Sequence, residues 1–216
     1  MAGAVTTSPV GGVVCGPWTI ALGLRGAEAL IFDTVDDPEF VHELMELCTA
    51  VSLSFGSQVA GLGVGVSFSE APASCSLISP KIYGQFILPY HKRLVERFRE
   101  RKAGLTLHIC GYIDPAMELI LQSGCSGISM DAPSDLGRMM DFAEGRAVVI
   151  GNVPPMVFVE GTAEDVRAAV QRCLQTVGGR SGYILSSGCE IPPGAKAENV
   201  RAFMTAAREL GRHEHA

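Results

Sequence analysis

The stretch LTLHICGYID, at positions 105–114, holds a short apolar run that ends in a histidine and a cysteine. Side chains two positions apart on an extended chain point to the same side, so His108 and Cys110 face one space. Imidazole nitrogen and cysteine sulfur are ligands that zinc prefers in proteins. The stretch therefore predicts a short strand that ends either in two polar core residues or in part of a metal site.

Five further segments repeat the design of a short apolar run followed by polar or turn-forming residues. They are GVVCG (12–16), GVSFSEAP (65–72), GISMDAP (127–133), AVVIGNVPP (147–155) and YILSSGCEIP (183–192). Amphipathic helices lie between them, and their starts carry recognisable caps, such as Asp37 before Pro38 and the T-x-x-D pattern at Thr162. Strands that alternate with helices, without hairpin turns, predict a parallel sheet with helical crossovers.

This alternation fits both a two-sided open sheet and a barrel. A nucleotide-binding open sheet would carry a G-x-G-x-x-G turn that opens a helix, whereas GLGVGVS at 61–67 precedes a strand. A barrel collects its chemistry where the strands end. Reactive side chains do stand at those positions, namely Glu70, His108, Cys110, Asp131, Asn152 and Cys189. We therefore predict an α/β fold, an incomplete TIM (β/α)8-type barrel of about six βα units. It forms a single domain over residues 1–211, followed by a disordered tail over 212–216.

Three of these side chains form a ligand set that suits zinc. His108, Cys110 and Cys189 would supply three protein ligands, and a catalytic zinc site keeps its fourth position open for substrate. Asp131 or Glu70 would add an exchangeable carboxylate or orient the histidine through a hydrogen bond. Glu190 follows Cys189 directly, so alternation predicts that its side chain points away from the ligands.

The remaining polar residues and cysteines have less specific interpretations. Asn152 and Ser187 are candidate substrate contacts, although Asn152 can equally belong to a strand-terminal turn. Buried cysteines are most often small hydrophobic core residues, which is the interpretation for Cys48, Cys125 and Cys173. Cys15 and Cys75 stand near strand ends, and their orientation stays open.

Composition restricts the class of partner. The net charge is −6, and the densest basic stretch, HKRLVERFRERK, alternates with glutamate and apolar residues. That pattern is typical of a solvated helix face, so nucleic acid is not an expected partner. No apolar run reaches the roughly 18 residues that a membrane span needs. The seven cysteines follow no disulfide framework, which favours a cytoplasmic protein with reduced thiols.

Several motifs, in order along the chain, resemble the uroporphyrinogen decarboxylase superfamily. They are VCGPWTIA, LISPKIYGQFILPYHKRL, HICG, GISMDAPSDL, VVIGNVPP and GYILSSGCEIPPGAKAENVRAF. The H-x-C pair with the late S-G-C is similar to the zinc-dependent corrinoid methyltransferase branch, whereas the decarboxylases usually carry HGI in that late block. The resemblance implies a TIM barrel, zinc on His108, Cys110 and Cys189, and methyl transfer to a thiol such as coenzyme M. The donor, methylcobalamin or another methylated corrinoid, would come from a partner corrinoid protein.

The sequence departs from this family at its start. Family members carry a long segment, with the first two barrel strands, ahead of the GPWTIA block. Six strands without those two leave two open sheet edges, so we expect a homodimer or pairing with a separate N-terminal segment. Two other functions stay open, a metal-free decarboxylase of tetrapyrrole carboxylates and a non-catalytic partner of a corrinoid protein.

Overall fold

The computed structural model describes residues 11–101 and 103–211. Its six strands are Gly11–Cys15 (β1), Gly65–Ser69 (β2), Leu105–Ile109 (β3), Gly127–Met130 (β4), Val148–Val153 (β5) and Tyr183–Ser187 (β6). They form one parallel sheet in the order of the chain. This order agrees with a partial TIM barrel and confirms the six predicted strands. The tail predicted at 212–216 lies outside the described residues.

Helices cover the outer face of the sheet. They are Pro17–Arg25 (α1), Ala27–Asp36 (α2), Pro38–Gly61 (α3), Pro80–Ile82 (α4), Leu88–Glu100 (α5), Met117–Leu121 (α6), Leu136–Ala143 (α7), Val157–Glu160 (α8), Ala163–Val177 (α9) and Ala197–Leu210 (α10). A π-helical turn at Tyr83–Ile87 joins α4 to α5. Short 3-10 turns lie at Ala71–Ala73 and Asp114–Ala116. Among the described residues, no helix has both the length and the apolar character required to cross a membrane.

The predicted helix starts are confirmed by their caps. The Asp37 carboxylate accepts a hydrogen bond from the backbone N–H of Phe40 at 3.1 Å. Thr162 and Asp165 form a reciprocal capping box at the start of α9, with backbone bonds of 3.2 and 2.8 Å. Such caps satisfy N–H groups that have no partner within the helix, and each stabilises its helix by about 1 kcal/mol. These local signals fix where the crossovers begin.

The hydrophobic core lies between the sheet and the helices. Strand side chains on the outer face are fully buried there, among them Phe68, Leu107, Ile109, Ile128 and Val149. Cys48, Cys125 and Cys173 are also buried, as predicted for core cysteines. Cys15 is exposed and Cys75 is half-buried.

The inner face of the sheet carries polar side chains on β2, β3 and β4. The register pairs Ser69 with His108, His108 with Ser129, and Ser129 with Ile150, so these residues form one row across four strands. Complete TIM barrels usually fill this space with layers of branched apolar side chains. In this row β2 to β4 carry two serine hydroxyls and the His108 imidazole, whereas β5 carries the apolar Ile150, and a cavity opens beside the polar residues on the concave side of the sheet.

Apolar side chains are exposed at both ends of the sheet. Val13 on β1 is 70% exposed and Ile184 on β6 is 54% exposed. Helix α3, which packs against β1, also exposes Leu47, Val51 and Phe55 at a spacing of one helical turn. These surfaces continue the two edges of the six-stranded sheet.

Candidate metal centre

Three potential metal ligands meet at the carboxyl ends of the strands. The Nε2 atom of His108 lies 3.1 Å from the Sγ atom of Cys110 and 3.6 Å from the Sγ atom of Cys189. The two sulfur atoms are 3.4 Å apart. Among the described residues, these three form a group that could hold a metal ion, and all three are half-buried.

The spacing of the three atoms suits tetrahedral zinc. Zinc–sulfur bonds of about 2.3 Å and zinc–nitrogen bonds of about 2.0–2.1 Å put neighbouring ligand atoms about 3.6–3.8 Å apart. The distances of 3.1–3.6 Å in this structure need to expand by only a few tenths of an ångström to admit the ion. One nitrogen and two sulfur donors also form the ligand type of a zinc site with an open fourth position.

Curvature of the sheet brings these residues together. His108 belongs to β3 and Cys110 directly follows it, whereas Cys189 lies two residues beyond the end of β6. In a flat sheet, three strand spacings of about 4.8 Å would separate β3 from β6 by about 14 Å. The contact between the two sulfur atoms therefore requires a curved sheet, together with the turn that follows β6.

Ser129 orients the histidine. The Nδ1 atom of His108 lies 3.0 Å from the Oγ atom of Ser129 on the neighbouring strand. With its proton on Nδ1, the ring donates to this hydroxyl and turns the Nε2 lone pair toward the sulfur atoms. Burial lowers the pKa of His108, although the Asp131 carboxylate opposes this effect. The side chain is thereby kept in the neutral form that binds metals.

The Cys110 thiol is protonated in the metal-free protein. Its pKa is raised to about 12, first by burial and then by the hydrogen bond and charge of Cys189 and the charges of Asp131 and Glu190. A bound divalent cation reverses this preference, because a thiol that coordinates it loses its proton. The thiolate form of Cys110 is therefore favoured only when a cation is bound beside it.

Asp131 stands beside the ligands on the loop after β4. Its carboxylate accepts hydrogen bonds from the backbone N–H groups of Gly111, at 2.9 Å, and Ala132, at 2.7 Å. The first bond ties Asp131 to the residue after Cys110. The carboxylate is therefore fixed next to the site, where the sequence placed it.

Asn152 positions the same loop. Its Nδ2 atom donates to the carbonyl oxygens of Asp131, at 3.3 Å, and Ser134, at 3.0 Å. Its Oδ1 atom accepts a hydrogen bond from the Cys173 thiol at 3.8 Å. These contacts engage both ends of the amide within the protein, so they do not support the predicted substrate contact.

Glu70 contacts the start of α1, and not the candidate metal ligands beside which the sequence placed it. Its fully buried carboxylate accepts hydrogen bonds from the backbone N–H groups of Trp18, at 3.2 Å, and Thr19, at 2.9 Å. It also contacts His91 Nε2 at 3.1 Å. None of its hydrogen bonds in the described part of the chain goes to the three candidate ligands. Glu70 thus caps α1, and a Cβ at Gly16 would lie 2.1 Å from its carboxyl carbon, which explains the glycine in CGPW.

A cavity of about 280 Å³ opens beside the metal centre. It is lined by residues from both ends of the sheet, namely Val13, Ser67, Ser69, His108, Ser129, Ser186, Ser187, Cys189 and Glu190. Ser187, a predicted substrate contact, lies in this wall. The cavity therefore offers hydroxyl groups to a small molecule held at the candidate metal centre.

Sequence reasoning missed two residues of this site. Ser129 lies on β4, two positions before Asp131, which directly follows that strand, so the alternation that identified His108 and Cys110 could have identified it. Glu190 was expected to point away, yet it lines the cavity and its charge acts on His108 and Cys110. Strand β6 ends at Ser187, so alternation no longer applies at Glu190.

Fold and site together define the class. The chain is an α/β protein of the TIM-barrel type with a histidine and two cysteines at the carboxyl ends of its strands, where such folds place their chemistry. The sequence profile described as uroporphyrinogen decarboxylase (URO-D) matches residues 3–210. The chain belongs to this family, which confirms the resemblance seen in its motifs.

Individual relatives have two kinds of name. A methylcobamide:CoM methyltransferase, MtbA, of Methanosarcina acetivorans is 28% identical over 202 residues, which cover 93% of this chain and 58% of the relative. A methylated-thiol–coenzyme M methyltransferase of Methanosarcina mazei is 30% identical over 208 residues, covering 93% and 53%. A uroporphyrinogen decarboxylase of Thioalkalivibrio sulfidiphilus is 25% identical over 213 residues, covering 94% and 60%. Corrinoid:CoM methyltransferases thus stand among the relatives, as the H-x-C and S-G-C motifs predicted.

A solved structure supports the fold. A methyltransferase from Methanosarcina mazei superposes with a TM-score of 0.86 at 22% identity, covering 97% of this chain and 61% of that one. This chain therefore spans less than two thirds of the length of the relatives that it matches.

Proposed function

We propose that this chain takes part in the transfer of a methyl group from a methylated corrinoid to a thiol, at a zinc ion held by His108, Cys110 and Cys189. The observation that carries the proposal is the triangle of one nitrogen and two sulfur atoms, with sides of 3.1–3.6 Å. The names of relatives that match 93% of the chain support the same reaction class. Coenzyme M is the acceptor named for those relatives, and the resemblance of the motifs implied a thiol of this kind without fixing which one.

The two cysteines act as ligands and not as nucleophiles in this proposal. Bound zinc supplies the means to deprotonate the acceptor thiol and to hold the resulting thiolate. Cys110 and Cys189, as thiolates, balance the charge of a divalent ion, which keeps the acceptor thiolate nucleophilic. The acceptor sulfur would then form a bond to the methyl carbon while the carbon–cobalt bond breaks, and the electron pair of that bond would stay on the corrinoid as cob(I)alamin.

Three further residues would position the ligands and the acceptor thiol for methyl transfer. Ser129 holds the ring of His108 in the orientation that directs Nε2 to the metal position. Asp131 would be the carboxylate nearest to a bound ion, where it could compete with the acceptor thiol, because it is tied to Gly111 beside Cys110. Ser187 lines the cavity and can donate its hydroxyl hydrogen to the bound acceptor.

A partner protein would bring the methylated corrinoid to the rim. The candidate ligands and the cavity lie at the carboxyl ends of the strands, so a corrinoid docked over these ends would meet the acceptor there. The cytoplasm, expected from the sequence, provides the reducing conditions that keep cysteine ligands available.

The edge strands β1 and β6 offer surfaces on which another polypeptide could pack. Within residues 11–101 and 103–211, β1 and β6 each have a strand neighbour on one side only, and exposed apolar side chains such as Val13 and Ile184 lie at these edges, which favours association with another polypeptide. We propose a second copy of the chain, or a separate segment that supplies further βα units. Light scattering is expected to show a species larger than one chain, whereas a monomer that persists on dilution would contradict this assembly.

The experiment that tests the reaction is a methyl-transfer assay with methylcobalamin and a thiol. The zinc-loaded chain is expected to form the methyl thioether and cob(I)alamin in equal amounts, and removal of zinc with a chelator should abolish both products. Thioether formation that is independent of zinc would contradict the proposal. Decarboxylation of a tetrapyrrole carboxylate by the metal-free chain would support the decarboxylase alternative instead.

A further inference from the structure

The wall of the cavity beside the metal centre carries charge of one sign. Serine hydroxyls dominate the lining, and Glu190 contributes a carboxylate. Among the described residues that line this cavity, none is a lysine or an arginine. Glu190 directly follows Cys189 and lies in the same cavity wall as His108 and Cys189, so its charge is close to the candidate ligands.

The balance of charge at the loaded site follows from its ligands. A divalent ion with two thiolates and a neutral imidazole carries no net charge. Asp131 and Glu190 add two negative charges beside it, and an acceptor thiolate adds a third. An acceptor whose tail is a sulfonate or carboxylate would bring a further negative charge into a wall without a cation. Like charges at this separation repel, and a partly buried site screens the repulsion less than bulk water does.

The serine hydroxyls in the cavity wall can bind a neutral or cationic tail of an acceptor thiol more favourably than an anionic one. Ser67, Ser69, Ser186 and Ser187 lie in the same wall, and each hydroxyl can both donate and accept a hydrogen bond. A neutral polar tail can exchange hydrogen bonds with them at no electrostatic cost. A cationic tail gains, in addition, the attraction of Glu190.

We propose that this cavity selects thiol acceptors with a neutral or cationic tail over those with an anionic tail, and that Glu190 is the residue that makes the selection. This inference rests on the proposed function and names the substrate class of the same site. It sets this chain apart from the relatives named for coenzyme M, because the tail of coenzyme M is an anionic sulfonate.

Three thiols with two-carbon chains test the proposal on the full chain loaded with Co²⁺. They are 2-mercaptoethanesulfonate, 2-mercaptoethanol and thiocholine, whose quaternary ammonium cannot chelate the metal. Binding is read from the sulfur-to-cobalt absorption, with each affinity corrected for the pKa of the free thiol. At low salt, thiocholine and 2-mercaptoethanol should bind about threefold to tenfold more tightly than the sulfonate, as expected for a partly exposed charge. Added salt should reduce the difference.

Two matched variants locate the effect. Glu190→Gln removes the charge at similar volume. It should tighten binding of the sulfonate most, that of 2-mercaptoethanol less and that of thiocholine least, which brings the affinities for the sulfonate and thiocholine closer. Glu144→Gln removes a charge from an exposed glutamate that follows α7 before the amino end of β5, and it should leave all three affinities unchanged.

The possible results test three separate claims: the selection by charge, the role of Glu190 and the proposed function. Binding of the sulfonate as tight as that of thiocholine in the unmodified chain would overturn the proposed selection. An unchanged order in Glu190→Gln would overturn the role of Glu190. A cobalt spectrum that responds to none of the thiols would contradict the proposed function itself, and with it this inference.

Discussion

The Sγ atoms of Cys110 and Cys189 lie 3.4 Å apart, although 79 positions separate the two residues in the sequence. Both cysteines are free, and the Nε2 atom of His108 lies within 3.6 Å of each sulfur. Two thiols and an imidazole gain little from such close contact on their own, because burial penalises the thiolate form of Cys110. A metal ion accounts for the arrangement, since it would bind all three atoms at once.

Ser129→Ala should weaken zinc binding without removing a ligand. The Ser129 hydroxyl is the hydrogen-bond partner of His108 Nδ1, at 3.0 Å, and loss of such an outer partner typically costs about 10- to 100-fold in metal affinity or activity. Ser126→Ala is the matched control, because the hydroxyl of Ser126 bonds to the Leu105 carbonyl near the amino end of β3. Competition with a chelator measures both affinities. Equal affinities in the two variants would contradict the orienting role of Ser129.

Asp131→Asn should keep zinc bound but change the affinity for the acceptor thiol. A neutral amide competes less well than a carboxylate for the fourth position, so the thiol should bind more readily, by up to about 10- to 100-fold. Calorimetry of thiol binding to the zinc-loaded chain measures the change, and metal analysis verifies zinc occupancy. An unaltered thiol affinity at full zinc occupancy would show that Asp131 does not compete at the metal.

Zinc affinity should rise with pH. The pKa of Cys110 is raised to about 12 in the metal-free chain, so this thiol carries its proton at neutral pH. Because zinc binds the thiolate, each protonated ligand thiol releases one proton on binding, and the apparent affinity gains about tenfold per pH unit for each proton released. Chelator competition at about pH 6, 7 and 8 measures the slope. A flat profile over this range would show that no thiol proton is displaced.

Glu70→Gln should destabilise the fold and spare the metal. The carboxylate satisfies the N–H groups of Trp18 and Thr19 and contacts His91, all in the buried interior near α1. An amide group cannot accept all of these bonds, and a buried donor left without a partner costs about 1–3 kcal/mol in the free energy of unfolding. Urea denaturation measures this loss, with the exposed Glu43→Gln as control. Loss of zinc from the folded Glu70→Gln chain would instead place Glu70 at the metal.

The fold, and the approach of the three candidate ligands to one another, could be predicted from local patterns. Short apolar runs, helix caps and the H-x-C pair each depend on neighbouring residues, and parallel strands bring their carboxyl ends to one side. The roles of Glu70 and Asn152 could not be predicted in this way. Glu70 bonds to Thr19, which is 51 positions away, and Asn152 bonds to carbonyl oxygens on the loop after β4. Such partners are set by the packing of distant elements.

Glu190 shows a second limit of sequence reasoning. Alternation holds only while the chain is extended, and β6 ends at Ser187. Beyond that residue the direction of a side chain depends on the turn, which brings both Cys189 and Glu190 to the cavity. A carboxylate next to a predicted ligand therefore needs the three-dimensional structure before its role can be assigned.

X-ray absorption at the zinc edge tests the metal centre most directly. The purified chain is expected to hold one zinc with two sulfur ligands at about 2.3 Å and nitrogen or oxygen ligands at about 2.0–2.2 Å. An acceptor thiol should raise the count to three sulfur ligands. Cys189→Ala should lose most of its zinc, and Cys125→Ala, which removes a buried thiol ahead of β4, should retain it. Full zinc occupancy in Cys189→Ala, or a ligand shell that a thiol leaves unchanged, would contradict a zinc-bound thiol as the methyl acceptor.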